Sequence, residues 1–375
     1  RKKQSEAGYE EINTPDMLDR SMWEKSGHWE KFKENMFTIN TEDKRVFALK
    51  PMNCPGCIQV FNQGIKSYKD LPIKIAEFGK VHRYEPSGAV HGMMRARSFT
   101  QDDAHIFCTE DQITHECIKV TNLILKIYKD FGFSDIKINY ADRPEKRVGE
   151  NKIWDKSEKA LLKAVKEAGV EYKINKGEGA FYGPKIDVKV KDSLGRLWQC
   201  MTIQFDFNLP REERLDIEYT GRDNSPHRPY VVHRALMGSV ERFLGVLIEH
   251  YGGDFPLWLA PVQVMVLPVT SDDAEFAQEV QKRLRKEGFR SEIDLSRERI
   301  SYKIRSSTLQ KIPYMLVVGA RERESGAVAV RERKQGDQGQ MILNDLLESR
   351  NHKDCRFLRI KTKIIYLKSL RPNID

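Results

Sequence analysis

The sequence predicts an α+β protein of two domains, and three patterns carry this prediction. An apolar run that ends near Arg83 and a second run that begins near Arg97 predict two antiparallel strands joined by a long polar loop. Short alternating runs between positions 135 and 207 predict further strands, and amphipathic segments at 112–131 and 152–169 predict packing helices. After position 260, a β-α-β-α-β alternation predicts a small parallel sheet with helices on its faces.

Length and composition narrow the class of protein. The chain has 375 residues, of which 39% are hydrophobic and 32% charged, so it can bury a core and is not disordered. Lys and Arg exceed Asp and Glu by 64 − 55 = 9, which suits a polyanionic partner but also an ordinary basic protein. Six scattered cysteines do not make a disulfide framework, and no apolar run is long enough for a membrane span. We therefore expect a cytoplasmic protein without membrane association.

Three segments of the amino-terminal part have a recognisable local pattern. Residues 1–11 resemble the end of a helix, so we expect the chain to be a fragment of a longer protein. The aromatic turn at 23–29 contains His28, a histidine that a structural role alone can explain. Pro and Gly in the run 49–57 predict a loop that opens a helix near Ile58.

That loop contains a C-x-x-C at Cys54 and Cys57, which is half of a zinc site or a redox pair. No second C-x-x-C completes a zinc site, and the βαβ context of a redox motif is absent. Cys54 together with His105 and His233 would form a zinc site with one open position. The sequence separations exclude a zinc finger, and each histidine can equally be a satisfied core residue.

The loop between the two predicted strands has the chemistry of a nucleotide site. Arginines at its two ends suit a phosphate chain, because a guanidinium makes two parallel charge-assisted hydrogen bonds. Phe99 offers a stacking face for a base, and an arginine can cover the other face. A charged surface hairpin is the alternative interpretation.

Three later segments add candidate ligand contacts. A glycine-rich bend at 177–185 presents Tyr182 and Lys185 but lacks the G-K-[ST] of a P-loop. In the strand 198–207, alternation places Gln199 on the face of Met201, Ile203 and Phe205, and Cys200, Thr202, Gln204 and Asp206 on the opposite face. His233 is predicted to begin a helix to about Glu249, on which Arg242 either binds an anion or is an ordinary surface arginine.

The second domain is predicted to begin after a Gly/Pro linker at 252–258. Its strands are expected at 262–269, 290–294, 312–318 and 326–330, and its helices at 271–287 and 299–310. Its basic residues suit an RNA backbone and splayed bases, or form a solvated basic face. They are Arg297, Arg299, Lys303, Arg305, Lys311, Arg321, Arg323, Arg331 and Arg333. The basic tail after Arg350 has no pattern that places it.

Over residues 1 to about 350 the chain resembles the threonyl-tRNA synthetases, a family of class II aminoacyl-tRNA synthetases. The matching segments are KPMNCPG (50–56), RYEPSG (83–88), RARSFTQDDAHIFC (95–108), GEGAFYGPKID (177–187), WQCMTIQFDF (198–207) and VVHRALMGSVERF (231–243). The resemblance implies a six- to seven-stranded antiparallel sheet flanked by helices, followed by a smaller α/β domain. It places the catalytic domain at 1–258 and the anticodon-binding domain at 259–375. The family's amino-terminal and editing domains are not expected in this fragment.

The resemblance also implies site residues. The metal ligands are Cys54, His105 and His233. The catalytic residues are Arg83, Lys185, Arg242 and His28. The ATP-binding residues are Arg83, Glu85, Arg95, Phe99, Gln199 and Arg242. The residues that bind the amino acid are Met52, Gln101, Asp103, Tyr182 and Gln204. The residues that read tRNA are Arg305, Glu322 and Arg331.

The implied activity joins L-threonine to tRNA(Thr) through a threonyl-adenylate made from ATP. One Zn2+ per subunit would bind the threonine amino and hydroxyl groups, Mg2+ would accompany ATP, and a homodimer is expected. Two departures from the family pattern are Cys57, where many members have histidine, and Arg297, where a polar amide is common. Two alternatives remain open: a catalytically silent, synthetase-like tRNA-binding regulator, and a zinc hydrolase that uses the open metal position for water.

Overall fold

The computed structural model describes residues 1–167, 169, 171–180, 182–191 and 194–343. Contacts within the chain define two compact units, Arg1–His250 and a second unit that begins at Tyr251. The boundary between residues 258 and 259 that the family resemblance implies stays a prediction. The tail after Arg350 lies outside the described residues.

The described elements of the first unit are short at its amino-terminal end and long in the sheet. The strands are β1 (Glu10–Glu11), β2 (Met17–Asp19), β3 (Thr38–Asn40), β4 (Val46–Leu49), β5 (Ile73–His82), β6 (Ser98–Cys108), β7 (Ile136–Ala141), β8 (Tyr172–Asn175), β9 (Lys185–Lys191), β10 (Leu197–Asp206), β11 (Tyr219–Thr220), β12 (Pro226–His227) and β13 (Tyr230–Ser239). The α-helices are α1 (Lys2–Glu6), α2 (Arg20–Lys25), α3 (His28–Phe32), α4 (Cys54–Phe61), α5 (Ile113–Asp130), α6 (Asn151–Glu167) and α7 (Val240–Tyr251).

One eight-stranded sheet organises this unit, in the order β1-β5-β6-β13-β10-β9-β7-β8. Its six central strands are antiparallel, and only the edge pairs β1–β5 and β7–β8 are parallel. The predicted hairpin is confirmed, because β5 and β6 pair from Ile73–Phe107 to His82–Ser98 and the polar loop 83–97 connects them. The α+β class and the antiparallel sheet with flanking helices are therefore confirmed.

The two predicted packing helices also form, and their apolar stripes are buried. Helix α5 buries Cys117, Val120 and Ile124, while α6 buries Trp154 and Leu161. Spacings of three and four residues place such side chains on one face of a helix. These helices pack against each other, and α5 packs against β13. One face of the sheet is thereby covered.

The predicted helix from His233 is wrong over its first seven residues. His233 to Ser239 continue strand β13, and helix α7 begins only at Val240. Strand pairing overrides the helical preference of Arg234 to Met237, because β13 lies between β6 and β10 and bonds to both. His233 consequently faces a neighbouring strand instead of starting a helix.

The predicted alternation along β10 is wrong at Gln199. The register with β9 shifts between Gln199 and Met201, so a β-bulge interrupts the alternation. Gln199 Nε2 donates to Thr202 Oγ1 at 2.9 Å and to Asp187 Oδ1 at 2.6 Å. Gln199 therefore lies on the face of Thr202 and Gln204, opposite to the buried Met201 and Ile203.

A buried ion pair fixes the loop that leads into α4. Lys50 is 1% exposed and Glu77 is 3% exposed, and Lys50 Nζ lies 2.9 Å from Glu77 Oε1. Lys50 Nζ also donates to the carbonyl and hydroxyl oxygens of Thr14, both at 3.0 Å. The Thr14 backbone N–H donates to Glu77 Oε1 at 2.9 Å, so all three residues form one satisfied network. The network therefore joins β5 to the segment before β2, through Thr14, and to the segment after β4, through Lys50.

The second unit has a mixed sheet in the order β15-β14-β16-β17-β18. Its strands are β14 (Val264–Pro268), β15 (Ser291–Ile293), β16 (Tyr314–Val318), β17 (Ala327–Glu332) and β18 (Gly336–Ile342), and its α-helices are α8 (Ala274–Lys286), α9 (Ile300–Leu309) and α10 (Ala320–Ser325). Strands β14, β15 and β16 are parallel as predicted. Strand β17 is antiparallel to β16, because the connection through α10 is too short for a parallel crossover. Strand β18 is in turn antiparallel to β17. The all-parallel expectation is therefore wrong for β17, and β18 was not predicted.

We expect Glu77→Gln to destabilise the first unit by about 3–5 kcal/mol, because it removes the buried counter-charge of Lys50 and leaves only the half-exposed Asp16 at 3.6 Å. Urea unfolding followed by tryptophan fluorescence measures this change, since Trp23, Trp29, Trp154 and Trp198 lie in the first unit and Trp258 in the second. Glu24→Gln, which breaks the exposed pair with Arg20, should cost less than about 1 kcal/mol. Equal losses in the two variants would contradict the assigned role of the buried pair.

Candidate active site

The sheet and helix α4 bring three metal-ligating side chains together. His105 on β6 and His233 on β13 are directly opposite in the strand register. Their rings are 4.7 Å apart between centroids and nearly perpendicular. Cys54 is the first residue of α4, and its Sγ and a ring nitrogen of each histidine all lie within 4.8 Å of one another. The group predicted from sequence therefore forms.

The surroundings of this group suit a bound cation. His233 Nε2 lies 2.9 Å from Asp206 Oδ2, an arrangement that fixes the tautomer of a ligating histidine. Asp206 is fully buried, and its Oδ1 accepts the backbone N–H groups of Asn208 and Leu209. Buried His105 Nε2 has no hydrogen-bond partner within the described part of the chain. A metal ion would satisfy this nitrogen.

Burial disfavours the charged forms of two of these three side chains. Burial, with smaller contributions from His233 and Arg234, lowers the pKa of His105 well below its usual value. Burial, followed by the carboxylates of Asp103 and Asp206, raises the pKa of the Cys54 thiol well above its usual value. A soft thiolate and two neutral imidazoles form the kind of donor set that zinc prefers.

The second cysteine of the C-x-x-C belongs to the core instead. Cys57 is 1% exposed and packs in a cluster with Ile58, Phe61 and Leu71. Its thiol pKa is raised by burial and, to a smaller extent, by Asp103. This position agrees with the prediction that only one of the two cysteines takes part in chemistry.

Polar side chains predicted to bind the amino acid surround the metal group. Tyr182 Oη donates to Gln204 Oε1 at 3.1 Å, and Gln204 is the strand neighbour of His233. Asp103 Oδ2 accepts from Asn53 Nδ2 at 3.3 Å, and burial raises the pKa of Asp103 to about 6. Gln101 lies two residues before Asp103 on β6, so strand alternation places it on the same face.

A pocket beside Cys54 and His233 is shared with an amino-terminal segment of the chain. Met52, Cys54, Tyr182 and His233 line one part of the pocket, and residues of the 26–32 segment line another. His28 is among them, and its Nδ1 lies 2.8 Å from Ser26 Oγ. Burial lowers the pKa of His28 to about 4, so its ring is neutral at physiological pH.

The residues predicted to contact the nucleotide lie in two groups. In the first, the Arg83 guanidinium is 5.3 Å from the centre of the Phe99 ring, and Arg83 Nε donates to the Pro51 carbonyl at 3.1 Å. Burial lowers the pKa of Arg83, although the nearby Glu85 opposes this change. Arg95 forms a two-nitrogen contact with Glu85 Oε2, at 2.8 and 3.1 Å.

The second group lies where β10 and α7 meet. Arg242 Nε donates to the Met94 carbonyl at 2.8 Å, and its Nη1 donates to the Gln199 carbonyl at 3.3 Å. Lys185 Nζ lies 2.9 Å from Asp187 Oδ2, whose other oxygen accepts from Gln199. The structure thus brings Arg242, Gln199 and Lys185 into one hydrogen-bonded region on the face of Gln204.

The three residues predicted to read tRNA lie in the second unit on three different elements. Arg305 is exposed on α9, Glu322 lies in α10, and Arg331 lies on β17. Glu322 accepts hydrogen bonds from the Gly319 backbone N–H and from Gln340. Lys303, one of the basic residues noted above, is 3% exposed and donates to the carbonyls of Pro268 and Asp294, so it is a structural residue.

Comparison with protein families decides the identity of the fold. Residues 37–251 match the model of the tRNA synthetase class II core domain of the G, H, P, S and T enzymes. The chain belongs to the class II tRNA synthetases. Residues 263–349 of this synthetase chain match an anticodon-binding domain.

Two curated relatives of this synthetase chain are named threonine–tRNA ligase. It is 57% identical over 349 residues to the threonine–tRNA ligase of Pelagibacter ubique (strain HTCC1062), covering 93% of this chain and 54% of that protein. It is 54% identical over 343 residues to the threonine–tRNA ligase of Polaromonas sp. (strain JS666), covering 92% of this chain and again 54% of the relative. The chain therefore spans about half the length of the curated relatives that it matches.

A solved structure has the same fold. The RNA binding domain of threonyl-tRNA synthetase from Cryptosporidium parvum Iowa II aligns with a TM-score of 0.86 at 39% identity, covering 93% of this chain and 87% of that chain. Within the part of the synthetase chain that the structure describes, no helix is long and apolar enough to cross a membrane.

Several residues of the site were not singled out from the sequence. Asp206 orients His233, Asn53 contacts Asp103, and Asp187 joins Lys185 to Gln199. A signal existed for Asp187, which is a single acid between Ile186 and Val188 in a predicted strand. The roles of Asp206 and Asn53 depend on contacts across 27 and 50 residues of sequence, so no local pattern reveals them.

We expect the purified chain to contain one zinc ion and Cys54→Ser to lose it, because the thiolate is the softest of the three ligands. Asp206→Asn should weaken zinc binding about 10- to 100-fold, since it removes the carboxylate that orients His233. Elemental analysis and competition with a chromophoric chelator measure both changes. Cys57→Ala is the matched control and should keep the metal. Loss of zinc in that variant would instead make Cys57 a ligand.

Proposed function

We propose that the chain is the catalytic and anticodon-binding part of a threonine–tRNA ligase. It activates L-threonine with ATP to a threonyl-adenylate and transfers the amino acid to tRNA(Thr). The observation that carries the proposal is the convergence of Cys54, His105 and His233 beside Tyr182 and Gln204, on a class II synthetase sheet. The names of the two bacterial relatives support the same amino acid.

Threonine selection follows from the donor set. When zinc is bound by Cys54, His105 and His233, it supplies an open coordination position for the threonine amino and hydroxyl groups. Asp103 lies on the same sheet face and suits the N–H groups of the threonine amine, while Gln204 and Tyr182 suit the remaining polar atoms. A site built for a substrate hydroxyl rejects an analogue without it about 10⁴- to 10⁵-fold, which excludes valine.

Adenylate formation needs charge stabilisation more than covalent chemistry. The attacking threonine carboxylate and the triphosphate are both anionic, so cations that are already in place lower the barrier. Arg83 is held by the Pro51 carbonyl and suits the α-phosphate. Arg95 and Arg242 suit the γ-phosphate end, Phe99 suits the adenine face, and Mg2+ accompanies ATP. Lys185 adds positive charge beside the reacting groups.

Transfer to tRNA needs a proton acceptor for a ribose hydroxyl. His28 lies in the same pocket as Cys54 and His233, and its low pKa keeps it neutral. A neutral imidazole with one nitrogen held by Ser26 can accept a proton at the other nitrogen. We assign His28 this role.

Two further properties complete the proposal. We propose a homodimer in the cytoplasm, in keeping with the class II assignment. The described cysteines Cys54, Cys57, Cys108, Cys117 and Cys200 are all free, which suits a reducing compartment.

ATP–pyrophosphate exchange tests the first step. We expect strong exchange with threonine, about 10- to 200-fold less with serine, which lacks one methyl group, and about 10⁴-fold less with valine. Stripping zinc with a chelator should abolish threonine-dependent exchange, and added zinc should restore it. Arg83→Ala should lower kcat by about 10²- to 10³-fold, because it removes a group that stabilises the transition-state charge.

The other outcomes of this experiment separate the alternatives. Zinc-dependent hydrolysis of ATP or of an ester, without exchange, would favour the zinc hydrolase. Tight tRNA binding with bound zinc, but no exchange with any amino acid, would favour a catalytically silent tRNA-binding regulator. Equal exchange with threonine and valine would reject the proposed role of zinc in reading the hydroxyl group.

Anticodon reading is proposed for Arg305, Glu322 and Arg331. We expect Arg331→Ala to raise KM for tRNA(Thr) about tenfold, because a lost base contact costs about 1–3 kcal/mol. A tRNA with an altered anticodon should then lose no further affinity in this variant. Aminoacylation kinetics measure both effects. Lys282→Ala, on the exposed face of α8, is the matched control and should leave KM unchanged. If the altered anticodon raises KM in Arg331→Ala as much as it does in the wild type, Arg331 does not contact the anticodon.

A further inference from the structure

We propose that Arg214 binds a backbone phosphate of the single-stranded 3′ end of tRNA as this end enters the candidate active site. The inference rests on the proposed function, and it assigns a positioning residue that none of the motifs or comparisons above identifies. Arg214 lies in the loop between β10 and β11, and it lines the same pocket as Cys54, His233 and His28.

The guanidinium of Arg214 lies directly over the backbone of Gly27. A Cβ atom built at Gly27 would come within 2.5 Å of Arg214 Nη1 and 3.0 Å of its Cζ. Gly27 also has a φ of +78°, a conformation that glycine adopts at no steric cost. The glycine therefore permits the close approach that brings the guanidinium next to His28.

The loop that carries Arg214 packs into the core and is joined by hydrogen bonds to the residues around His233. Leu209 and Leu215 are buried in the same cluster as Ile58, and Leu215 N donates to the Leu209 carbonyl. The loop starts at Asp206, whose Oδ1 accepts from Leu209 N while its Oδ2 contacts His233. Arg214 is thus held at a fixed position relative to the metal ligands.

No described acid lies within ion-pair distance of Arg214, although its charge, after that of Lys31, helps to lower the pKa of Glu30. Its nearest acidic neighbour in sequence, Glu213, pairs with Arg211 at 3.1 Å. On the other side of the pocket, Glu30 pairs with Lys31 at 3.0 Å. Arg214 is therefore a fixed cation in a pocket wall with no ion-pair partner in the part of the chain that the structure describes.

A fixed guanidinium of this kind suits a phosphate, which accepts two parallel hydrogen bonds from it. Two sources of phosphate reach this region, ATP and the tRNA backbone. Of the arginines proposed for ATP, Arg83 is held by a carbonyl in the loop before α4, and Arg242 by carbonyls in the β5–β6 loop and on β10. Arg214 instead contacts the segment that carries His28, where the ribose hydroxyl of the tRNA must arrive. This position favours the RNA phosphate.

Binding of two RNAs to four proteins tests the proposal. The RNAs are a tRNA(Thr) transcript and the same transcript without its last three nucleotides, at one fixed salt concentration. The proteins are the 375-residue chain, Arg214→Ala, Arg214→Lys and Arg211→Ala. We expect truncation to weaken binding to the wild type about tenfold, and Arg214→Ala to lose about tenfold on the full transcript and nothing more on truncation. Arg211→Ala should behave like the wild type.

This double comparison isolates the contact, because only coupled groups give non-additive losses. Equal losses on both RNAs for Arg214→Ala, or no loss on either, would overturn the proposal. A raised KM for ATP in exchange would assign Arg214 to the triphosphate and would also overturn it. Arg214→Lys keeps the charge but loses the two-bond guanidinium contact, so it should retain part of the coupling, and it tests the same contact if Arg214→Ala fails to fold.

Wild-type exchange with threonine keeps the two proposals separate. Absent exchange together with intact Arg214 coupling would reject the ligase function and keep the RNA contact. Normal exchange without coupling would reject the contact alone.

Discussion

The buried ion pair between Lys50 and Glu77 is the interaction on which the geometry of the candidate site depends. His105 and His233 are fixed by strand register, but Cys54 belongs to a helix that approaches the sheet from outside. The loop before that helix is fastened by Lys50 to Glu77 and Thr14, and its Pro51 carbonyl accepts from Arg83. One loop therefore helps to position Cys54, a proposed metal ligand, and Arg83, which is proposed to bind phosphate. The proposed amino-acid and nucleotide sites thus depend on the same buried charge pair.

The opposite face of the sheet contributes to the site through Asp102. This carboxylate is fully buried, and burial raises its pKa to about 7 despite the attraction of Arg234. Its Oδ1 accepts the backbone N–H groups of Met237 and Gly238, both at 2.9 Å. These bonds shape the end of β13, where Gly238 has a φ of +69° and a Cβ would meet the Cys200 carbonyl. Asp102 thus helps to position the start of α7, and with it Arg242, from the opposite face of the sheet.

Two residues proposed to bind ATP contact each other in the described structure. Arg95 pairs with Glu85, although their expected partners are the γ-phosphate end and the adenine amino group. Half of the Arg95 side chain is exposed, so exchanging this partner costs little, on the order of 0–1 kcal/mol. Arg83 and Phe99 are already adjacent. Under the proposed function, ATP would thus enter a site in which Phe99 already lies beside Arg83. Arg95 would have to leave Glu85 to reach the γ-phosphate end.

The sequence predicts the parts of this fold that depend on local pattern. It does not predict features that depend on contacts with residues far away in the sequence. The β5–β6 hairpin and helices α5 and α6 follow from periodicity, and the metal group follows from residue types together with family resemblance. The strand identity of residues 233–239 does not, because pairing with β6 and β10 overrides a helix-favouring composition. The face of Gln199 depends on a bulge, which exists only relative to β9. The sequence also does not single out Arg214. Its proposed role depends on its contact with Gly27, 187 residues earlier, and on a loop that is hydrogen-bonded to Asp206.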